Sequence, residues 1–169
     1  MLRLRPPRPA DERPFRAGHK KMAAEDFTFG LGLEPGMTWA EYLRLLTDHR
    51  LGLNLPERLV PSTLLVAEAD GKLVGRTSIR HRLNEQLRRE GGHIGYGVLP
   101  AYRRRGHATE ILRQSLVIAR SLGVDRVLLT CDDDNVGSIT VIESCGGKLD
   151  SVLDAGPGRP IPMRRYWID

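Results

Sequence analysis

The stretch Val98-Leu99-Pro100-Ala101-Tyr102-Arg103-Arg104-Arg105-Gly106-His107-Ala108-Thr109 gathers three adjacent arginines and two very small residues where a strand-like segment gives way to a helix-like one. Pro100 ends the strand, because it cannot donate to a ladder. Gly106 and Ala108 open the helix with almost no side chain, and a helix start exposes up to four unpaired N–H groups at the positive end of its dipole. An anion can reach those groups, and the arginines add charge, so the pattern fits a diphosphate. Without its flanks, the arginine run is also what a solvated basic cluster looks like.

Two phosphate motifs are excluded. No Gly-x-x-x-x-Gly-Lys-Ser/Thr run exists, and Gly95-Tyr96-Gly97-Val98-Leu99-Pro100 fails the Gly-x-Gly-x-x-Gly dinucleotide pattern at its last position. What fits is Val-x-Pro-x-x-Arg-x-x-Gly-x-Ala on Val98, Pro100, Arg103, Gly106 and Ala108. This resembles the GCN5-related N-acetyltransferases (GNAT), whose Arg/Gln-x-x-Gly-x-Gly/Ala loop binds the pyrophosphate of acetyl-CoA. The resemblance implies acetyl-CoA as cosubstrate, with Arg103, Arg104, Arg105, Gly106, His107, Ala108 and Thr109 around its diphosphate. It also implies Val98 and Leu99 along the pantetheine arm, the Val98 N–H as oxyanion donor, and no metal.

Further positions follow from the same resemblance. Asn135 and Ser138 match the family's Asn-x-x-Ala/Ser, whose amide touches the CoA arm; a plain helix N-cap explains Asn135 equally well. Many members carry a tyrosine acid seven residues after that Asn, and here the position is Ile142. Tyr166 and Tyr96 are the replacement acids on offer, each also readable as an ordinary core tyrosine. Where relatives read Glu-Ile-Gly-Tyr, this chain reads His93-Ile94-Gly95-Tyr96, making His93 a candidate base; a hydrogen-bonded structural histidine is the alternative. A covalent route through Cys131 or Cys145 ranks behind direct transfer, since free cysteines are mostly small buried hydrophobes.

Composition bounds the rest. A chain of 169 residues, 40% hydrophobic and 28% charged, is expected to form one domain spanning 1–169. No apolar run approaches a membrane span, and Met1 to Arg8 has charge without the apolar core of a secretion signal. Two cysteines without metal-like spacing fit a reducing cytoplasm. The net charge is +5, and only four of the 26 basic residues are lysine. Because those residues are scattered, with no aromatic-rich strand or helix-turn-helix, a preference for arginine is favoured over a nucleic-acid partner.

The elements that must position these residues read in order. Leu2 to Arg5 alternates as a strand, and Ala10 to about Glu25 is helix-compatible but broken by Pro14 and Gly18. A glycine-rich loop runs from Phe27 to Gly36, and Thr38 with Glu41 forms a capping box ahead of a helix. Strands 62–69 and 72–81 flank an Asp70-Gly71 turn. A polar connection, 82–92, with room for one helical turn, leads to strand 93–99. Helix 109–122 follows, then strand 126–131, helix 136–144 and strands 148–153 and 162–168. This order resembles the GNAT fold: α+β, an α/β/α sandwich on a mixed, mostly antiparallel sheet of six to seven strands, with strands 93–99 and 126–131 splayed apart.

The expected activity is therefore direct attack of an acceptor amine on the acetyl-CoA thioester. The acceptor is a small molecule or peptide amine, with a monomer or homodimer equally open and neither nucleic acid nor membrane expected. The acceptor pocket is expected along Phe27 to Leu33, helix 38–48 and connection 82–92, where Glu25, Asp26 and Glu34 hint at a cationic amine. Rivals are a non-catalytic CoA-binding domain of the same fold and an arginine-rich nucleic-acid-binding protein.

Overall fold

The computed structural model describes residues 1–169 throughout. Strands β1 (Leu2–Arg5), β2 (Ser62–Ala69), β3 (Lys72–Arg80) and β4 (Ile94–Val98) form one antiparallel sheet in that order. Strands β5 (Val127–Asp132), β6 (Lys148–Leu153) and β7 (Met163–Ile168) form a second, with β7 between β5 and β6. All the ladders are antiparallel, and seven strands are present, the upper end of the expected count.

Helices cover both faces. α1 (Glu12–Ala23) and α2 (Trp39–Leu51) lie on one, where Phe15, Phe29, Trp39 and Tyr42 pack on Leu64 and Val66 of β2. Pro14 does not break α1, because it falls in the first turn, where no helical N–H bond is required. Gly18 is accommodated for packing: a Cβ there would lie 2.8 Å from the Leu99 side chain. A short α3 (Glu85–Arg89) supplies the expected turn between β3 and β4.

α4 (His107–Ser121) and α5 (Val136–Ser144) lie on the other face. The α4 side chains Ile111, Leu112, Leu116 and Ala119 are buried, and Leu112, Leu116 and Ala119 share one core with Ile79, Ile94, Leu129 and Ile142. α4 begins at His107, two residues before the expected start, because Gly106 at φ 77° turns the chain directly into the helix.

The two sheets meet at one point, the start of β4. The His93 N–H donates to the Leu128 carbonyl at 2.8 Å, and the Leu128 N–H returns a bond to His93 Nδ1 at 2.9 Å. Gly92 makes this approach possible, since a Cβ on it would collide with the Leu128 backbone. Beyond that vertex β4 and β5 separate.

Candidate active site

The wedge between β4 and β5 opens into a cleft of about 930 Å³ running from the N-terminus of α4 to the loop between α1 and α2. Its mouth is the arginine–glycine turn. Arg104 and Gly106 both hold left-handed backbone, at φ 59° and 77°. Arg104 adopts that conformation at some cost, since it carries a Cβ. The result is a concave run of N–H groups: those from Arg104 to Thr109 find no acceptor within the chain, and α4 has no side-chain cap. These donors are open to solvent at the cleft mouth, Arg104 to Gly106 being exposed, and a helix dipole aims at the same spot. Nothing lies within 4 Å of where a Gly106 Cβ would stand. Unpaired backbone donors, a helix dipole and nearby arginine charge are together what binding of an anion such as a diphosphate requires.

The arginines divide. Arg104 lines the cleft, whereas Arg105 lies out over the Tyr102 ring, 5.9 Å from its centroid. Arg103 turns back from the cradle: its Nε donates to the Val98 carbonyl at 3.1 Å and its Nη atoms to both oxygens of Glu25. It braces the loop rather than offering free charge. Glu25, pulled below its ordinary carboxylate range by that pairing, is thus occupied by Arg103 and not left over for a cationic amine. Glu25 lines the cleft, whereas Asp26, Glu34 and α2 do not.

Along the wedge, the Leu99 N–H bonds to the Val74 carbonyl at 2.8 Å. Pairing alternates along an antiparallel ladder, so Tyr96 and Val98 turn their own N–H groups away from β3 toward the split. Val98 lines the cleft with its N–H free. Leu99 does not line it: its N–H is taken by Val74 and its side chain packs toward α1. Across the wedge, Asn135 caps α5, its Oδ1 accepting the Ser138 N–H at 3.1 Å, and both residues line the cleft together with His107, Ala108 and Thr109.

The two acid–base candidates stand differently from expectation. His93 is buried, does not line the cleft, and has Nδ1 occupied by the Leu128 N–H. Burial, with Arg88 and Arg80 nearby, holds its pKa down at about 4. The geometry corrects the base assignment: this imidazole is the pin between the sheets. Tyr166 is likewise corrected. It is fully buried on β7 between β5 and β6, donates to Glu143 Oε1 at 3.0 Å, and accepts from Arg164 Nη1 at 3.3 Å. Tyr96 does line the cleft, beside Ser138 but outside hydrogen-bonding geometry, and its buried hydroxyl has no partner. Burial pushes its pKa up to about 12. Cys131 is also pushed up, to about 11, and remains a thiol.

Three cleft residues lay outside the expected set. Arg76 and Arg80 on β3 and Asp132, at the end of β5 beside the start of α5, all line the cleft. The available signal was two arginines at i and i+4 inside a strand, on one face by the period of two.

Compared with known families, residues 1–148 match the Acetyltransferase (GNAT) domain. The chain therefore belongs to the GNAT acetyltransferase family, and acetyl-CoA-dependent N-acetyltransfer is the activity that membership carries. Among solved structures, it is similar to yncA of Salmonella typhimurium, a putative acetyltransferase solved with acetyl-CoA, at 17% identity and TM-score 0.68 over 99% of this chain and 93% of that one. It is also similar to spermidine N-acetyltransferase of Vibrio cholerae, solved with CoA and spermine, at 20% identity and TM-score 0.69 over 99% and 94%. RimL, a ribosomal L7/L12 α-N-protein acetyltransferase, aligns at 17% identity and TM-score 0.66 over 99% and 89%. At these identities the likeness is one of fold. No functionally curated protein matches by sequence. No helix is long and apolar enough to cross a membrane.

Proposed function

We propose that residues 1–169 act as one domain, in the cytoplasm, holding acetyl-CoA with its diphosphate on the Arg104–Thr109 cradle and its pantetheine arm in the wedge. The chemistry supplied by the bound cosubstrate is an activated acetyl thioester. The single observation that carries this reading is the run of acceptor-less N–H groups at the mouth of a wedge opened by the β4–β5 split. Asn135 and Ser138 face the arm from α5.

The acceptor amine attacks the thioester carbonyl directly. Val98 N–H, turned into the split, is the donor for charge developing on the carbonyl oxygen. Tyr96 takes the acid's place left by Ile142. Its hydroxyl is protonated at neutral pH, unpartnered, and buried at the wall of the wedge. The amine must arrive neutral, and two arginines close to the acceptor end disfavour an ammonium there. Asp132, free of any side-chain partner, is the residue placed to take the proton.

Calorimetry with coenzyme A tests the cradle. Gly106→Asp puts a carboxylate and a Cβ on a left-handed residue where the diphosphate sits. It is expected to abolish detectable heat while leaving the unfolding transition cooperative. Unchanged coenzyme A binding by that variant, or none by the parent, removes the reading. Steeply salt-dependent DNA or RNA binding that survives Gly106→Asp supports the nucleic-acid alternative instead.

A further inference from the structure

Two cations at the acceptor end of the cleft have no counter-ion. Arg76 and Arg80 stand four residues apart on one face of β3, and Thr77 and Ile79 between them face α4 and its core. Their guanidiniums converge over Gly95, whose missing side chain leaves the room: a Cβ there would lie 3.7 Å from Arg80 Nη1 and 3.9 Å from Arg76 Nη1.

Arg76 is 4% exposed and donates to the carbonyls of Phe29, Thr28 and Gly95, with its Cζ 4.5 Å above the Phe27 ring. Arg80 donates through Nη1 to the carbonyls of Gly91 and Gly92, which leaves Nε and Nη2 without a protein partner. These carbonyls satisfy N–H groups but do not neutralise charge. Neither arginine takes part in any of the ion pairs of the chain; those nearest the cleft join Arg103 to Glu25 and Arg164 to Asp133. An isolated charge removed from water is costly unless something pairs it. The side of the cleft opposite the arginines carries one free carboxylate. Leu129 and Cys131 face the α4 and α5 core, so Thr130 and Asp132 face the arginine side, and Thr130 Oγ1 touches the Gly91 N–H at 3.1 Å.

We propose that the acceptor is a zwitterion of the amino-acid kind, its carboxylate held by Arg80 within the field of Arg76 and its amine directed toward Asp132. This deepens the acetyltransferase reading and rests on it. Arg80 is the contact, because it alone has free donors; Arg76 is a positioning residue that holds the Phe27–Phe29 loop and adds charge. A polyamine has the wrong sign for this end of the cleft. The anion in question belongs to the acceptor and not to coenzyme A, whose diphosphate cradle lies at the other end.

The test separates this proposal from the transferase reading by measuring binding as well as turnover. Calorimetry on protein loaded with coenzyme A compares an α-amino acid with its decarboxylated amine and with spermine; thiol release on acetyl-CoA is followed with the same three. The amino acid is expected to bind, and to show a kcat/KM above the matched amine, by roughly tenfold to a hundredfold, the size of a charge-assisted hydrogen bond in a sheltered site. Arg80→Gln should erase that ratio mainly through KM, Arg80→Lys should keep part of it, and neither should weaken coenzyme A binding. Asp132→Asn, at an exposed position that does not threaten folding, should lower kcat and flatten the pH profile. Equal use of the matched amine or spermine overturns the proposal, as does an unchanged ratio in Arg80→Gln, loss of coenzyme A binding in that variant, or no amino-acid binding. Amino-acid binding without thiol release upholds the acceptor class and overturns the transferase reading alone.

Discussion

In the proposed mechanism Tyr96 is the residue that departs from the pattern the family resemblance implies. A tyrosine on α5 is replaced here by Ile142, 1% exposed and packed into the core below the wedge. The phenol reappears on the facing strand, with an unpartnered hydroxyl. Tyr96→Phe removes one buried, unsatisfied oxygen and so should leave stability unchanged or slightly raised. Thiol release should fall by about tenfold to a hundredfold in kcat with little change in the acceptor's KM. An unaltered kcat would assign the leaving thiolate's proton to solvent. The sequence made Tyr96 and Tyr166 look alike, because a tyrosine's type says nothing of what its hydroxyl meets. Only packing separates one tied to Glu143 and Arg164 from one left free. For the same reason His93 read as a base: its place before Ile-Gly-Tyr was legible, but its bond to Leu128, made across 35 residues, was not.

At the scale of elements, legibility was high where the signal was local. The capping box of Thr38 and Glu41, the Asp70–Gly71 turn and the amphipathic face of α4 all rest on neighbours within a few residues, and all form as read. What local pattern could not give was the division of seven strands into two sheets, because a missing ladder between β4 and β5 leaves no mark on either strand. α4 matters here beyond its burial. It fixes the cradle's donors by anchoring the first turns against the sheets, so loosening it should cost binding as well as stability. Leu112 is fully buried beneath the cradle's second turn. Leu112→Ala should lower the unfolding free energy by about 2–4 kcal/mol in urea titrations. It should also weaken coenzyme A binding by more than the fraction unfolded explains. Full retention of affinity in the folded variant would mean the turn is held by Arg103 and Glu25 without help from the helix core.

The molecule as a whole is two sheets pinned at one residue, and the pin titrates. His93 Nδ1 must be bare to accept the Leu128 N–H; a proton there would set two N–H groups against each other at 2.9 Å. The folded pKa of about 4 lies below the reference 6.5. Between those values the unfolded chain binds the proton and the folded one does not, so this contribution is complete above about pH 6.5 and is lost as pH falls toward 4. The linkage amounts to about 2 kcal/mol between pH 7.5 and pH 5. Other groups with lowered values, among them His19, His49, His81 and Asp11, slope the same way, so the total loss on acidification is not diagnostic. The difference from His93→Gln is. A glutamine carbonyl can accept the Leu128 N–H at every pH, so the variant's urea-unfolding free energy should fall less steeply over this window, by that same margin. Because the pin sets the wedge angle, coenzyme A affinity should weaken with acidification in the parent and stay nearly level in the variant. Superimposable pH curves for the two proteins would place the hinge elsewhere, in Gly92 and the backbone bond from His93 to Leu128.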